Sequence, residues 1–338
     1  MTGPLQRPGV KLLLHPLLAA LGVPVTAVIG AVLRFTNRRV GIALAYHSVA
    51  LAQGDKTREI VAPHGLSTFE RQLCHLRRRY RVVEARNLLE ATRVRRRGER
   101  FPVAITFDDD LGSHAKLALP ALLAVGTPAT FFLSGASLTG PFAFWWERLQ
   151  RAFDRRLDDL PALVGVSTGR TIHELGRSIE YMSPAERNAV AARLEHRLGP
   201  DPPDAGMREQ DVRAVVEAGM TVGFHTLRHD ALLWLSDEAL AAALRDGRAQ
   251  LEDVVGEPLD IIGYPHGHGD DRVAEAARAA GFTTGFRVAE EAVWPDSNPL
   301  LLGRVTPTYR STGHFAIQLV LQLLSRQRSR PSTRLADA

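Results

Sequence analysis

The sequence predicts an α/β fold built on a parallel barrel, closed or nearly closed. Three observations predict it. Short β-rich runs alternate with amphipathic helical stretches about seven times, the pattern of strand–helix units feeding a parallel sheet. No internal repeat or low-complexity linker divides the 338 residues, so one large domain is favoured over two. Polar residues of the kinds that do chemistry cluster where the strands end, the rim at which parallel barrels carry their sites.

The elements follow in order. From Leu12 to Leu33 no residue is fully charged; the length suits a membrane span, yet two prolines, two glycines and His15 weaken it, and helices packed on the domain are the equal alternative. Arg39–Val49 is a β-rich run. The stretch LSTFERQLCHLRRRY reads as a helix with Phe69, Leu73 and Leu76 at helical spacing and Ser67 or Thr68 as cap. YRVV and the stronger PVAITF (Pro102–Phe107) are strands, HAKLALPALLAVG is a helix closing at Gly126, and PATFFLS is the fourth strand. A less regular, more polar stretch then runs from about Pro141 to Ala205, a helical insert whose best helix starts at Ser183 as cap with Pro184 in the first turn. Alternation resumes: REQDVRAVVEAG helix, MTVGFH strand, SDEALAAALRDGRAQLEDVVG one long helix, LDIIGYP strand, DDRVAEAARAAG helix, FTTGF strand, LLGRV a final strand, and a last helix from about His314. The chain thus divides into a hydrophobic N-terminal segment (1–38), a barrel (39–325) with its insert at about 141–205, and a polar tail (326–338) expected to lack order.

Composition removes some function classes. The formal charge of +5 is the difference of 42 basic and 37 acidic residues. Arginine clusters such as Arg77–Arg79 and Arg95–Arg97 have no interleaved aromatics, so they read as solvated faces and nucleic acid is not an expected partner. An acidic membrane surface or glycan suits them better. One cysteine, Cys74, excludes an intrachain disulfide and is expected to be a buried thiol. Membrane, cytoplasm and export all stay open, as does the oligomeric state.

The stretch AITFDDDLGSH ends a buried-looking strand in Asp108, Asp109 and Asp110. Three adjacent acids repel one another unless a cation joins them. Nitrogen ligands are available on the same rim. TVGF ends in His225, with His229 four residues on, an i, i+4 pair that one helical turn would aim at a single ion. IALAY ends in His47, and DIIG runs into Tyr264-Pro265-His266-Gly267-His268. Two imidazoles and one carboxylate leave a divalent metal with open positions, the pattern of a reactive site rather than a structural one. Successive residues leaving a strand point in different directions, so one Asp takes the metal and its neighbour is free to accept a proton; Asp110 has no role in this scheme.

TFDDD and HTLRH resemble the first two motifs of the polysaccharide deacetylase family, and YHSV, ATFFLS and GYPHG fit it too, the resemblance running from about Val40 to Thr308. It implies a deformed (β/α) barrel with about seven strands and metal-dependent removal of acetyl groups from N-acetylated sugars. By the same resemblance Asp108 matches the general base, and Asp109, His225 and His229 match the ligands of a divalent metal, usually Zn2+. The third motif departs: where the family has Arg-x-Pro-aromatic, this chain has Gly263, Tyr264, Pro265 and His266. Arg304 resembles a late arginine of exopolysaccharide-type members and is the candidate substitute. His47 is the better candidate for the acid, with His266, His268 and His314 behind it. The Tyr264–Pro265–His266 turn is the candidate for the oxyanion and substrate contacts. FAFWW (Phe142–Trp146) reads as local core rather than a sugar-stacking platform.

The function these residues imply is hydrolysis of the N-acetyl group of an N-acetylhexosamine, in an exopolysaccharide, a cell-wall glycan or a glycan precursor. The alternatives are a hydrolase of a non-polysaccharide amide (a cyclic amide or formylated sugar), which the missing arginine keeps open, and a degenerate member that binds glycan.

Overall fold

Alternation along the strands explains the architecture. In the computed structural model, which describes residues 9–166 and 171–325, the strands are β1 (Ile42–Tyr46), β2 (Val49–Ala50), β3 (His64–Gly65), β4 (Arg81–Val83), β5 (Pro102–Asp108), β6 (Thr130–Leu133), β7 (Thr221–Phe224), β8 (Ile261–Gly263), β9 (Thr284–Val288) and β10 (Leu302–Val305). β1, β5, β6, β7, β8, β9 and β10 pair in that order, all parallel, and the ring closes where β10 meets β1. β4 is outside the ring. It pairs with the first residues of β5, while β6 takes the last residues on the same strand. That shared edge is the deformation of the barrel. The polar tail, 326–338, lies outside the described residues.

One face of each strand meets the surrounding helices: Ile42, Leu44, Val103, Ile105, Phe107, Phe131, Val222, Phe224, Ile262 and Val305 join one large core. The other face fills the barrel with Ala43, Ala104, Phe132, Ile261, Phe286 and Leu302. A barrel of this size is plugged by side chains, so their volumes must match. Phe132 sets that match. A Cβ on Gly223 would lie 2.6 Å from its ring, and one on Gly263 2.7 Å. The two glycines are therefore the room into which the Phe132 ring fits.

Several local readings need correction. The helix after β3 spans Leu66–Arg79 with Gly65 as its cap, so Ser67 and Thr68 lie inside it. It buries Phe69, Leu73 and Leu76 but turns Cys74 outward, because 74 falls off the 69–73–76 face; the thiol is exposed. The expected long helix after β7 is two, Asp237–Ala243 and Arg248–Val255. Gly247 breaks it at φ 77°, and a Cβ there would meet Leu227 at 2.9 Å.

The insert follows β6. Its helices Trp145–Asp154, Leu160–Val164, Ile172–Glu180 and Pro184–Leu198 enclose a small core of their own around Leu149, Val164, Ile179, Val190 and Leu194. Capping boxes Thr171/Glu174 and Ser183/Glu186 start two of them. At the other end of the sequence order, Gly9–Arg34 is one helix laid along the last helix, Thr312–Leu324. Gly22 and Gly313 let the two touch, since a Cβ on Gly22 would lie 2.5 Å from the Gly313 carbonyl oxygen. No helix among the described residues is long and apolar enough to cross a membrane.

Gly263→Ala should lower stability by about 1–3 kcal/mol through overpacking against Phe132, and Phe132→Leu in that background should restore part of the loss. Urea denaturation of the two single variants and the double variant measures the coupling; additive losses would disprove the contact.

Candidate active site

The same alternation aims the site. On β5, Ala104 points into the barrel, and so do Thr106 and Asp108. On β10, Leu302 points in, and so does Arg304. The two meet across the interior: Arg304 Nη1 donates to Asp108 Oδ1 at 2.5 Å and Nη2 to Oδ2 at 2.8 Å. Nη1 also reaches Thr106 Oγ1 at 3.1 Å, and the Thr106 hydroxyl donates to the Leu44 carbonyl at 2.7 Å. The guanidinium, fully buried, sits over the Phe132 ring at 5.2 Å. Burial alone would raise the Asp108 pKa; Arg304 foremost, with His225 and His47, together outweigh it and hold the carboxyl down at about 2.

Asp109 leaves the strand at φ 73° and turns to the other side. Its Oδ1 is buried with no hydrogen-bond donor among the described residues, 3.6 Å from His225 Nε2 and 3.3 Å from His229 Nε2. In a tetrahedral site with bonds of about 2.1 Å, ligand atoms lie about 3.4 Å apart. Both distances are those of ligands around one divalent ion, and all three ligand atoms lie within 4.8 Å of one another. His225 Nδ1 lies 2.7 Å from the Gly263 carbonyl, a bond that places the ring proton there and leaves Nε2 as a lone pair. Burial lowers the His225 pKa to about 4 and holds that of His229 well below its ordinary value, so both rings are neutral near pH 7. Burial, then Asp108, Glu147 and Asp110, pushes Asp109 well above the usual carboxylate range. Glu147 itself is raised to about 7, chiefly by burial. The orphaned Asp109 oxygen between two neutral imidazoles fits a cation at Asp109, His225 and His229, and among the described residues these three form the group able to hold one.

His225 and His229 do not converge through a helical turn. The segment between them is an irregular turn in which Thr226 (φ 57°) and His229 (φ 49°) are left-handed. His266 is also left-handed, at φ 58°. Strain of this kind, about 1–3 kcal/mol per residue, persists only where surrounding contacts enforce it. Here the insert supplies them. The Trp146 ring is 4.8 Å and the Phe144 ring 5.6 Å from that of His229, and Arg187 Nη1 donates to the His229 carbonyl at 3.5 Å. Phe144 and Trp146 are buried, so this part of FAFWW is the wall behind a ligand rather than a sugar platform.

The other candidates separate. His47 stands at the rim with its ring one third exposed and Nε2 3.8 Å from Asp108 Oδ2; burial lowers its pKa, with Asp108 opposing. His266 packs its ring 4.6 Å from that of His229 and places Nδ1 3.7 Å from Glu180 of the insert. Tyr264 turns away. It follows inward Gly263 on β8, so it faces outward, fully buried, its hydroxyl donating to the Leu300 carbonyl at 2.7 Å. Its N–H is taken by the Phe286 carbonyl, and Pro265 has no N–H. His268 is exposed, and His314 sits at the start of the last helix, Nδ1 2.9 Å from the Ser311 hydroxyl.

Two roles were not legible. Asp110 accepts from the Ser134 N–H at 2.6 Å and hydroxyl at 2.7 Å, fastening the loop after β6. His114, buried against Phe107 and Phe131, places Nε2 2.8 Å from the His47 carbonyl and so fixes the backbone of the rim histidine. Only its position shortly after the acidic triplet could have drawn attention to it.

Arg304→Met strands a buried carboxylate and should cost about 3–5 kcal/mol at pH 7. The wild-type Asp108, held at about 2 against about 3.9 unfolded, contributes stability that is present above pH 3.9 and lost as the pH falls towards 2. In the variant the acid is free to protonate, so the gap between the two proteins should narrow from pH 7 to pH 4 in urea denaturation. A gap that stays constant would remove Asp108 as the cause.

Residues 95–285, more than half of the chain, match the family model described as polysaccharide deacetylase. Among solved structures the chain is similar to the Streptococcus pyogenes deacetylase PplD in complex with acetate (14% identity, 85% of this chain and 99% of that one, TM-score 0.58). It is similar also to IcaB from Ammonifex degensii (19%, 82% and 97%, TM-score 0.52) and to a de-N-acetylase from Aggregatibacter actinomycetemcomitans (15%, 80% and 95%, TM-score 0.52). At these identities the likeness is one of fold. No curated protein matches the sequence. With a closed seven-strand parallel barrel, an Asp–His–His group at its rim and the family match across the segment that carries them, the chain belongs to the polysaccharide deacetylase family, hydrolases acting on carbon–nitrogen bonds other than peptide bonds.

Proposed function

We propose that this chain hydrolyses the N-acetyl group of an N-acetylhexosamine in a polysaccharide or glycan precursor, using a divalent metal, Zn2+ by preference, held by Asp109, His225 and His229. The observation that carries the reading is the division of labour between adjacent acids. Asp108 is clamped by Arg304, while the orphaned Asp109 Oδ1 faces two neutral imidazoles. The ion supplies Lewis acidity toward the acetyl carbonyl and toward water.

The chain's own residues account for the protons. Arg304 keeps Asp108 anionic at working pH, so a base is always present beside the ion. As water adds to the acetyl carbon, Asp108 accepts its proton. His47 enters neutral, because burial lowers its pKa. Its Nε2, 3.8 Å from Asp108 Oδ2, is placed to take that proton on and give it to the amine nitrogen as the carbon–nitrogen bond breaks, leaving acetate and a free amine. In the Tyr264–Pro265–His266 turn, the oxyanion contact falls to the His266 N–H, since Tyr264 N–H is engaged and Pro265 has none. A donor so placed contributes about 3–4 kcal/mol to the transition state.

Arg304 also weighs on the alternatives. A base left without its usual arginine was the reason to consider a different amide, and the bidentate clamp supplies that arginine from another strand. A binding-only member would have no use for a complete base and ligand set.

Acetate release from N-acetylglucosamine oligomers, abolished by chelator and restored by Zn2+, is the expected result. Asp108→Asn should lower turnover by about 10²–10⁴-fold while still binding one metal per chain, and Asp109→Ala should lose both metal and activity. Near-normal turnover in Asp108→Asn would falsify the base assignment, and a chelator-resistant rate would remove the metal. His47→Ala should lower kcat more than it raises KM.

A further inference from the structure

The helix Gly9–Arg34 is apolar on the wrong side. Its inner face packs on the last helix through Gly22, and Thr26 is buried one turn on, its hydroxyl donating to the Gly22 carbonyl at 2.5 Å. Its outer face carries Leu18, Leu21, Val25, Val28 and Val32, and Phe35 continues the row just past the helix end. The spacing alternates three and four residues, so these six side chains form one ridge. They are exposed, Val28 by 66% and Val32 by 65%. No charged residue lies between Leu12 and Leu33 to interrupt it. Leu321 and Leu324 of the last helix are also exposed. An uninterrupted apolar ridge of this length marks a place where something else docks.

The charge beside the ridge identifies what. At the Arg34 end, a depression of about 210 Å³ is lined by four arginines, Arg34, Arg78, Arg79 and Arg100, with no carboxylate among its lining residues. Thr26, Ala27, Gly30 and Ala31 of the same helix form its other wall. An apolar ridge bordered by unopposed guanidinium groups is complementary to acyl chains bordered by phosphate. It is a poor match for a second copy of the same helix, which would bring apolar residues and further arginines but no acids. We propose that this face docks on an anionic phospholipid bilayer, the ridge lying in the interface and the arginine depression taking lipid phosphate.

The docked orientation follows from the helix direction. Gly22 lies against Gly313, near the start of the last helix, and Arg38 donates to the Leu323 carbonyl near its end. The last helix follows β10, so it starts on the side where the strands end, the side of Asp109 and His225. The docked helix thus runs along the barrel, and the barrel lies on its side with the site opening along the bilayer plane. This inference does not depend on the chemistry proposed for the site.

Flotation of the full chain with vesicles tests it. Binding is expected to phosphatidylcholine vesicles containing about 30 mol% phosphatidylglycerol, to be weaker without that lipid, and to weaken in about 0.5 M salt, where the Debye length is near 4 Å. Val28→Glu combined with Val32→Glu should lower binding to both vesicle types by at least about 10-fold. Arg78→Ala combined with Arg79→Ala should abolish the preference for phosphatidylglycerol and keep the residual binding. Thermal midpoints of both variants check that they fold. Failure of the wild-type chain to float with either vesicle overturns the proposal. So does a lipid-free dimer by light scattering that the double glutamate variant dissociates, since the ridge would then be a subunit interface.

Discussion

Arg304 carries a guanidinium through the interior of the barrel to the carboxylate of Asp108, and the site is arranged around that pair. Both groups are removed from water, which costs several kcal/mol each before any attraction is counted. The pair persists because its geometry is bidentate, because Thr106 accepts a further Nη1 bond, and because the Phe132 ring lies beneath the cation. The consequence lies one residue further on. With Asp108 already satisfied by a fixed cation of the protein, Asp109 Oδ1 is left with no hydrogen-bond partner among the described residues. A buried carboxylate without a partner is either neutral or bound to something positive. The two neutral imidazoles facing it make the second outcome the favourable one, since a proton needs one acceptor and an ion of this class needs several. The acidic triplet is thus three separate electrostatic problems: Asp108 is met by an arginine, Asp110 by the Ser134 donors, and Asp109 sits with two imidazoles in a group able to hold a cation.

Backbone strain shows what the insert contributes. Six described non-glycine residues have positive φ, and four of them, Asp109, Thr226, His229 and His266, lie at this site. A barrel strand delivers side chains alternately inward and outward, and a metal site needs adjacent residues to converge instead. Left-handed residues supply that turn of direction, and packing must then hold them. Trp146, Phe144 and Arg187 do so at His229, and Glu180 stands beside His266. The insert is therefore a wall of the site as well as a separate small core.

Much of this was legible because period-two alternation and residue order survive in sequence. The strands, Gly126 as a helix stop and the convergence of an acid of the triplet with His225 and His229 follow from residue types and from which residues end which strands, whereas the choice of Asp109 as ligand and of Arg304 as partner of Asp108 comes from the family resemblance. What was not legible depended on direction within a turn. The spacing of His225 and His229 matched a helical turn, yet left-handed φ values at Thr226 and His229 bring the rings together by another route. Within the Tyr264–Pro265–His266 turn, the Tyr264 N–H is taken by the Phe286 carbonyl, a bond to a strand distant in sequence that no local pattern signals. Asp110 and His114 act through partners far away in sequence, Ser134 and His47, and no local pattern announces such bonds.

The missing arginine of the third motif has a steric explanation. The guanidinium beside Asp108 needs only to reach the carboxylate from within the barrel; which strand sends it is constrained by volume. Here β8 presents Gly263, whose missing side chain is the space the Phe132 ring occupies, and β10 presents Arg304, whose guanidinium rests over that same ring. Glycine on β8, phenylalanine on β6 and arginine on β10 are one packing solution. An arginine at 263 would have to pass through the Phe132 ring, so it could not coexist with the present interior. Returning the arginine to β8 therefore requires changing Phe132 as well. The departure from the family pattern at Gly263 thus goes with a packing of three strands in which Arg304 brings a guanidinium to Asp108.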